Sequence, residues 1–255
     1  VPASLALRRR GAPLWRHGLS PPADRVALVV GAGSGVGQAV AYRLGALGIY
    51  VGLAGRRLDE LERTAAELRQ HGGHGLPLPV DARDEADVAV AVEQLATTAG
   101  GIDDLVYCAG VGLYGPVETY TLADWEQTWS TNVTGLFLCA RAVIPYLRQR
   151  GGGHIVAVSS GAGKHGYAER AAYAASKFAV HGFMESLAEE LGPQRIKCST
   201  VVPGSILTEF AATSVEKKQA SGRKYLQPGD VADVIVQVLR QSDHAWTQEV
   251  NVWPF

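Results

Sequence analysis

Two side chains that could exchange a proton stand four positions apart in the segment Tyr173-Ala174-Ala175-Ser176-Lys177. On a helix this spacing places Tyr173 and Lys177 on one face, and an ammonium beside a phenol lowers the pKa of the tyrosine. A tyrosine of this kind can pass a proton to or from an alcohol near neutral pH. The pair predicts proton transfer at a carbonyl or alcohol. A chance match between a buried aromatic and a surface base is the alternative.

Ser160 and Asn132 are candidates for the same site. Ser160 follows a run from His154 to Ser159 that is typical of a buried strand, and ligand crevices open at the carboxyl ends of such strands. Its hydroxyl could hold a substrate oxygen. Asn132 lies in a long helical pattern, where its amide could fix a backbone kink or a water molecule.

A glycine-rich turn, Gly31-Ala32-Gly33-Ser34-Gly35-Val36-Gly37, joins a predicted strand at 26–30 to a predicted helix. Glycines let a backbone approach a pyrophosphate closely, and the following helix offers N–H groups and partial positive charge. The usual GxGxxG spacing is absent, but a GxxxGxG spacing is present. The turn favours a dinucleotide site over a flexible loop.

Gly55-Arg56-Arg57 ends the second predicted strand, where an acid would bind the ribose hydroxyl of NAD. Two guanidinium groups there suit the 2′-phosphate of NADP instead. A solvated arginine pair at a helix start is the alternative interpretation.

Short β-branched runs alternate with helical patterns from residue 24 onward. Strands are predicted at 26–30, 51–54, 76–80, 105–108, 154–159, 196–202 and 249–252, and helices at 36–47, 58–70, 84–98, 122–148, 172–191 and 231–239. Pro145 is expected to kink or end the long helix. The alternation predicts an α/β fold with a single Rossmann-type, doubly wound parallel sheet and helices on both faces. Residues 204–227 lack periodicity, as binding loops and lids often do.

Composition limits the classes of function. The 255 residues are 47% hydrophobic with a formal charge of −1, which predicts a folded core and excludes nucleic acid as a main partner. The apolar runs are too short for a membrane span. Three cysteines without CxxC spacing predict no disulfide framework and a reducing, cytoplasmic location. His71 and His74 lie among glycines, which favours a turn over a metal site.

The leading 23 residues differ from the rest. Residues 1–23 contain four arginines, four prolines and no acid, which predicts a disordered extension, with an organelle transit peptide as the alternative. Residues 24–255 are predicted to form one nucleotide-binding domain with its catalytic site built in.

Taken together, the glycine turn, Ser160, Tyr173 and Lys177 resemble the pattern of the short-chain dehydrogenases/reductases over residues 24–253. The resemblance implies that Tyr173 is the general acid or base, that Lys177 lowers its pKa and holds the nicotinamide ribose, and that Ser160 polarises the carbonyl. Asn132 would support a water relay to Lys177. Together with the arginine pair, the resemblance assigns to NADP(H) the residues Gly31, Gly33, Ser34, Gly35, Val36, Gly37, Arg56, Arg57, Asp81, Ala82, Ala109, Gly110, Tyr173, Lys177, Pro203, Gly204, Ile206 and Thr208.

The sequence departs from the family pattern in several places. Val30 replaces a common threonine, Tyr107-Cys108-Ala109-Gly110 replaces Asn-Asn-Ala-Gly, and Ser34 stands where many NADP-using members carry a base. The segment 227–232 and the terminal Trp253-Pro254 resemble a subgroup of broad NADP-dependent reductases of hydroxy acids, aldehydes and ketones.

The resemblance implies hydride transfer between NADP(H) and a small-molecule carbonyl or secondary alcohol, in a homodimer or homotetramer. A cofactor-binding regulator without chemistry is the rival hypothesis. Lys217, Lys218, Arg223 and Lys224 in the 204–227 loop are compatible with an anionic substrate, although such a run usually forms a solvated face. Tyr114, His165 and Tyr167 are candidates for the pocket lining, with surface packing as an equally good account.

Overall fold

The computed structural model describes residues 25–255, so the prediction for residues 1–23 lies outside the described residues. Seven strands form one parallel sheet in the order β3-β2-β1-β4-β5-β6-β7. They are β1 (Val26–Val30), β2 (Tyr50–Gly55), β3 (His74–Pro79), β4 (Asp104–Tyr107), β5 (Gly153–Val158), β6 (Ile196–Pro203) and β7 (Glu249–Val252). The chain winds outward from β1 in both directions, which opens a crevice at the carboxyl ends of the strands. The predicted doubly wound parallel sheet is confirmed.

Eight α-helices accompany the sheet in residues 25–255. They are α1 (Gly35–Ala46), α2 (Leu58–Gln70), α3 (Glu85–Ala99), α4 (Leu122–Trp129), α5 (Gly135–Gln149), α6 (Ala171–Leu191), α7 (Val215–Ala220) and α8 (Pro228–Leu239). One apolar cluster joins α3, α5 and α6 to one face of the sheet, and a second joins α1, α2 and α8 to the other. All five residues of β1 are buried, as expected for a strand covered on both faces.

The predicted helix over 122–148 is wrong as a single regular element. A π-helical turn at Ser130–Thr134 separates α4 from α5. Pro145 does not end α5, which continues to Gln149. Buried Val143 and Leu147 on either side of Pro145 anchor that part of α5 to the core, and this packing outweighs the missing N–H of proline.

Two other boundaries also differ. Strand β3 begins at His74, so this histidine belongs to the sheet rather than to the predicted turn. The 204–227 segment contains α7, whose six residues are too few to show a helical period. Within residues 25–255 no helix is long and apolar enough to span a membrane.

Candidate active site

The glycine turn folds back on itself at the carboxyl end of β1. A Cβ on Gly37 would lie 2.2 Å from the Gly31 carbonyl oxygen, and one on Gly31 would lie 2.9 Å from the Ala109 nitrogen. Gly31 and Gly35 have φ values of +88° and +56°, which side-chain-bearing residues rarely adopt. A Cβ on Gly35 would lie 3.4 Å from the Thr208 methyl carbon. The turn therefore needs glycines and approaches segments that follow β4 and β6.

This cradle fits a dinucleotide pyrophosphate. Ser34 is the N-cap of α1 but makes no side-chain capping bond, and the first turn of α1 contains no acid. The helix N-terminus thus keeps N–H groups and partial positive charge that attract an anion. Gly33 instead faces the Glu60 side chain, because a Cβ on Gly33 would lie 3.1 Å from Glu60 Oε2.

The two arginines after β2 have different surroundings. Arg57 is bound to Glu60 through an ion pair of 2.5 Å. Arg56 makes no hydrogen bond or ion pair among residues 25–255, and its charge contributes to lowering the pKa of Asp81. The largest cause of that lowered pKa is the hydrogen bonding of Asp81 to Arg83, whose guanidinium donates to both carboxylate oxygens. Arg56 is consequently the guanidinium available for a phosphate.

Asn132 lies buried in the π-helical turn and ties three segments together. Its Oδ1 accepts from the Val111 N–H at 2.8 Å, and its Nδ2 donates to the Val111 carbonyl at 3.0 Å. The same Nδ2 donates to Ser176 Oγ on α6 at 3.0 Å. Asn132 therefore fixes the segment after β4 against the helix that carries Tyr173. Gly110 lies close to both side chains, because a Cβ on Gly110 would lie 3.3 Å from Asn132 Oδ1 and 3.6 Å from Lys177 Nζ.

Tyr173 and Lys177 are both buried at the start of α6. The Lys177 ammonium lies 5.8 Å from the Tyr173 ring centre and donates to the Val158 carbonyl at 2.9 Å. Burial lowers the pKa of Lys177 to about 8, against a smaller opposing effect of Cys108. Lys177 is thus a cation held at an energetic cost in the protein interior.

The pKa of Tyr173 differs in sign from the expectation. Burial raises it above the ordinary value and Tyr114 adds to the rise, while the Ser160 hydrogen bond and the Arg170 charge oppose it. The expected lowering by Lys177 is absent because desolvation dominates and the ammonium is directed to Val158. Tyr173 is accordingly protonated in this structure at neutral pH.

Ser160 stands just after β5, near enough to Tyr173 for its hydroxyl to lower the pKa of that phenol. Its Oγ also accepts from the Ala162 N–H at 3.1 Å. Because the oxygen accepts this backbone bond, the Ser160 hydroxyl keeps its proton to donate to a carbonyl oxygen.

An aromatic cage around Tyr173 was not predicted. Tyr114 meets its ring edge-on at 5.6 Å between centres, and Phe210 lies at 5.7 Å. Beside the cage is a cavity of about 450 Å³, lined by the 112–116 segment, Tyr120, Asp124 and Ala211. These side chains come from separate segments without a shared spacing, so the sequence carried no signal for the cage beyond the suggestion of Tyr114.

The segment after β6 closes the other side of the crevice. The Lys218 ammonium donates to the carbonyls of Ile206 and Thr208 at 3.3 and 2.5 Å, which fixes the segment that begins at Pro203. A Cβ on Gly204 would lie 2.8 Å from the Trp253 ring, so the C-terminus packs on this segment. Ala82, a predicted cofactor residue after β3, packs closely against the start of α5, because a Cβ on Gly135 would lie 3.1 Å from the Ala82 carbonyl oxygen.

A second polar group lies behind the site. Ser159 Oγ is 2.9 Å from His181 Nε2, and His181 Nδ1 is 3.3 Å from a Glu249 oxygen that also pairs with Lys164. This series of contacts, from serine to histidine to carboxylate, resembles the catalytic triad of a hydrolase. Gly163 covers the Ser159 hydroxyl, however, because a Cβ on Gly163 would lie 2.7 Å from Ser159 Oγ. The group is closed to substrate and ties β7 to α6 and to the turn after β5.

The model of the short chain dehydrogenase family matches residues 25–219. An uncharacterized oxidoreductase of Staphylococcus aureus is 32% identical over 91% of this chain and 97% of its own length. Glycine betaine reductase of Emericella nidulans is 33% identical over 92% of this chain, which spans only 19% of that protein.

Two solved structures are similar to this chain as well. A metagenomic short-chain oxidoreductase in complex with NADP is 33% identical, with a TM-score of 0.80 over 91% of this chain and 97% of the other. A variant actinorhodin polyketide ketoreductase with NADPH is 31% identical, with a TM-score of 0.84 over 91% and 97%. The family model and these relatives show that the chain belongs to the short-chain dehydrogenase/reductase family of oxidoreductases.

Proposed function

We propose that the protein transfers a hydride between NADP(H) and a carbonyl compound or its secondary alcohol. The observation that carries this proposal is the placement of buried Tyr173 and Lys177 one turn apart at the start of α6, with Ser160 near the phenol and a cavity beyond Tyr114. A proton donor, a second hydrogen-bonding hydroxyl and a cation are the groups that carbonyl reduction needs from a protein.

The cradle of Gly31, Gly35 and Gly37 would hold the cofactor pyrophosphate at the N-terminus of α1. Arg56 would bind the 2′-phosphate, since Arg57 is paired with Glu60. The similar proteins solved with NADP and NADPH support this cofactor. Bound NADPH supplies the hydride.

The side chains divide the remaining work. Ser160 donates a hydrogen bond to the carbonyl oxygen, and Tyr173 donates its phenolic proton to that oxygen as the alcohol forms. The raised pKa of Tyr173 keeps this proton in place until the oxygen becomes basic. Lys177 supplies positive charge that stabilises the phenolate left behind. Asn132 positions α6 through Ser176.

The assembly that we propose is a homodimer or a tetramer built from such dimers. The family resemblance implies this pairing, and apolar surface for it is available at Trp125 on α4, Phe137 on α5 and Phe178 on α6, which are 40%, 41% and 48% exposed. Light scattering on the wild type and on Phe137→Asp tests this: the wild type should be an oligomer and the variant should dissociate. A monomeric wild type would contradict it.

The reaction is tested by following NADPH absorbance with a panel of ketones, aldehydes and oxo acids. The wild type should oxidise NADPH with some of them, and Tyr173→Phe should bind NADPH but lose turnover. Binding of NADPH without turnover of any compound by the wild type would favour the rival function, a cofactor-binding regulator.

A further inference from the structure

Arg170 is a cation at the substrate side of the site that neither the catalytic groups nor the cofactor cradle accounts for. Its guanidinium carbon lies 4.7 Å from the ring centre of Tyr114 and 5.3 Å from that of Tyr167. Tyr114 in turn contacts Tyr173 edge-on. The charge is thus one aromatic ring away from the proton donor and beside the cavity that Tyr114 lines.

The two rings leave the donors of Arg170 available. The Arg170 side chain makes no hydrogen bond or ion pair among residues 25–255, so its planar set of N–H groups, which matches a carboxylate, is not taken up by a protein acceptor. No carboxylate among residues 25–255 pairs with Arg170, although other arginines such as Arg57 and Arg83 have such partners. Glu169, the adjacent acid, has no ion pair with it either.

The backbone holds Arg170 in place. Glu169 has a φ of +61°, a left-handed conformation that costs a non-glycine residue free energy and persists where the surroundings impose it. Its carbonyl accepts the Gly115 N–H at 2.8 Å, which joins the loop before α6 to the loop that carries Tyr114. Arg170 is also the N-cap of α6, whose first turn has no acid and no side-chain cap.

We propose that Arg170 binds a carboxylate of the substrate, so that the compound reduced at Tyr173 is a short oxo acid rather than a neutral ketone. This inference rests on the proposed function, because it places the carbonyl at Tyr173. The carbonyl would then lie at Tyr173 and the carboxylate at Arg170, both beside the Tyr114 ring. Asp124 lines the same cavity and accepts the Thr121 hydroxyl at 2.7 Å, so a second carboxylate on the substrate would meet a negative charge. A monocarboxylate is therefore favoured over a dicarboxylate.

The test compares each oxo acid with its methyl ester, which has the same carbonyl and no charge. Pyruvate, acetoacetate and levulinate with their esters vary the distance between carbonyl and carboxylate. For the acid that reacts best, Arg170→Gln should raise KM at least about tenfold with a smaller change in kcat, because a bidentate charge-assisted bond is lost. The KM of the matching ester should stay within about twofold. Arg69→Gln is the matched control, since Arg69 is an exposed arginine on α2 away from the site.

A binding measurement separates this inference from the proposed reaction. Calorimetry with the protein loaded with NADP⁺, which has no hydride to give, should show that the acid binds the wild type and Arg69→Gln alike and Arg170→Gln at least about tenfold more weakly. The role of Arg170 would be overturned if all three proteins bound the acid equally, or if Arg170→Gln weakened the acid and its ester by the same factor. If no compound is turned over but the acid still binds Arg170→Gln more weakly than the wild type, the proposed reaction is overturned and the carboxylate site stands.

Discussion

The cofactor side and the substrate side of the crevice are built from different materials. On the cofactor side, the backbone of one continuous turn makes the surface, and a Cβ on Gly37 would lie 2.2 Å from a backbone oxygen. On the substrate side, Tyr114 and Phe210 flank Tyr173 from two separate segments, and Arg170 lies over the ring of Tyr114. A backbone surface cannot adjust to an added atom, whereas a side-chain surface can change one contact at a time. The cofactor side should therefore fail abruptly on substitution, and the substrate side should change its selectivity.

The largest effect is expected at the point where the two sides meet. Tyr173→Phe removes only the phenolic oxygen, so the ring contacts with Tyr114 and Phe210 remain. Loss of the general acid should reduce kcat by about 10²–10⁴-fold. Stopped-flow measurement of turnover and fluorescence titration of NADPH would check this, with the affinity for NADPH expected within about threefold of the wild type. Surviving turnover would remove Tyr173 from the mechanism.

The next effect tests the rigidity of the cofactor side. Gly37→Ala must displace backbone, and we expect the affinity for NADPH to fall by about 100-fold, equivalent to about 2.7 kcal/mol. Gly33→Ala is the matched control, because its Cβ would meet side-chain atoms of Glu60 and Leu61, at 3.1 Å or more, and no backbone. Calorimetric titration of both variants measures the difference. Equal affinities would show that the backbone of the turn is not rigid.

Lys177 provides a test through stability. Its pKa is about 8 in the folded protein and 10.5 ordinarily, so between these values the unfolded chain binds more protons and the wild type gains stability as the pH rises. Below that pH window, the buried ammonium lowers the free energy of unfolding of the wild type, and Lys177→Met removes this penalty. The free energy of unfolding of Lys177→Met relative to wild type should therefore fall by about 2 kcal/mol between about pH 7 and pH 10.

Urea denaturation at several pH values measures this difference. A constant gap between Lys177→Met and wild type across the window would mean that Lys177 is not held at a lowered pKa. The same pKa predicts that kcat/KM for NADPH, which reports on the cofactor-free enzyme, declines above about pH 8 as the ammonium loses its proton.

The smallest effect separates the two arginines. Arg56→Ala should weaken NADPH by about tenfold and leave NADH nearly unchanged, because one charge-assisted contact to a phosphate is lost. Arg57→Ala should change NADPH binding less, since that guanidinium is already paired with Glu60. Titrations with both cofactors decide the matter. Equal losses for NADPH and NADH would refute the assignment of the 2′-phosphate to Arg56.

The same contrast explains what the sequence could predict. The glycine turn and the Tyr173–Lys177 pair are local patterns whose spacing is visible in the linear chain, so their elements and positions could be inferred. The contacts of Arg170 with Tyr114 and of His181 with Glu249 join residues far apart in sequence, and no period links them. The sign of the Tyr173 pKa shift was missed for a related reason. A local rule takes account of the neighbouring lysine but not of the burial that dominates.

Hydride transfer itself is tested most directly with NADPH that carries deuterium at one face of the nicotinamide C4. The wild-type protein, a reactive carbonyl compound and each labelled cofactor are combined, and the alcohol is analysed by mass spectrometry. We predict that one label, and not the other, appears on the carbon that was the carbonyl carbon, and that Tyr173→Phe forms little of this product. An alcohol without deuterium from either cofactor, or no alcohol with any compound of the panel, would contradict hydride transfer.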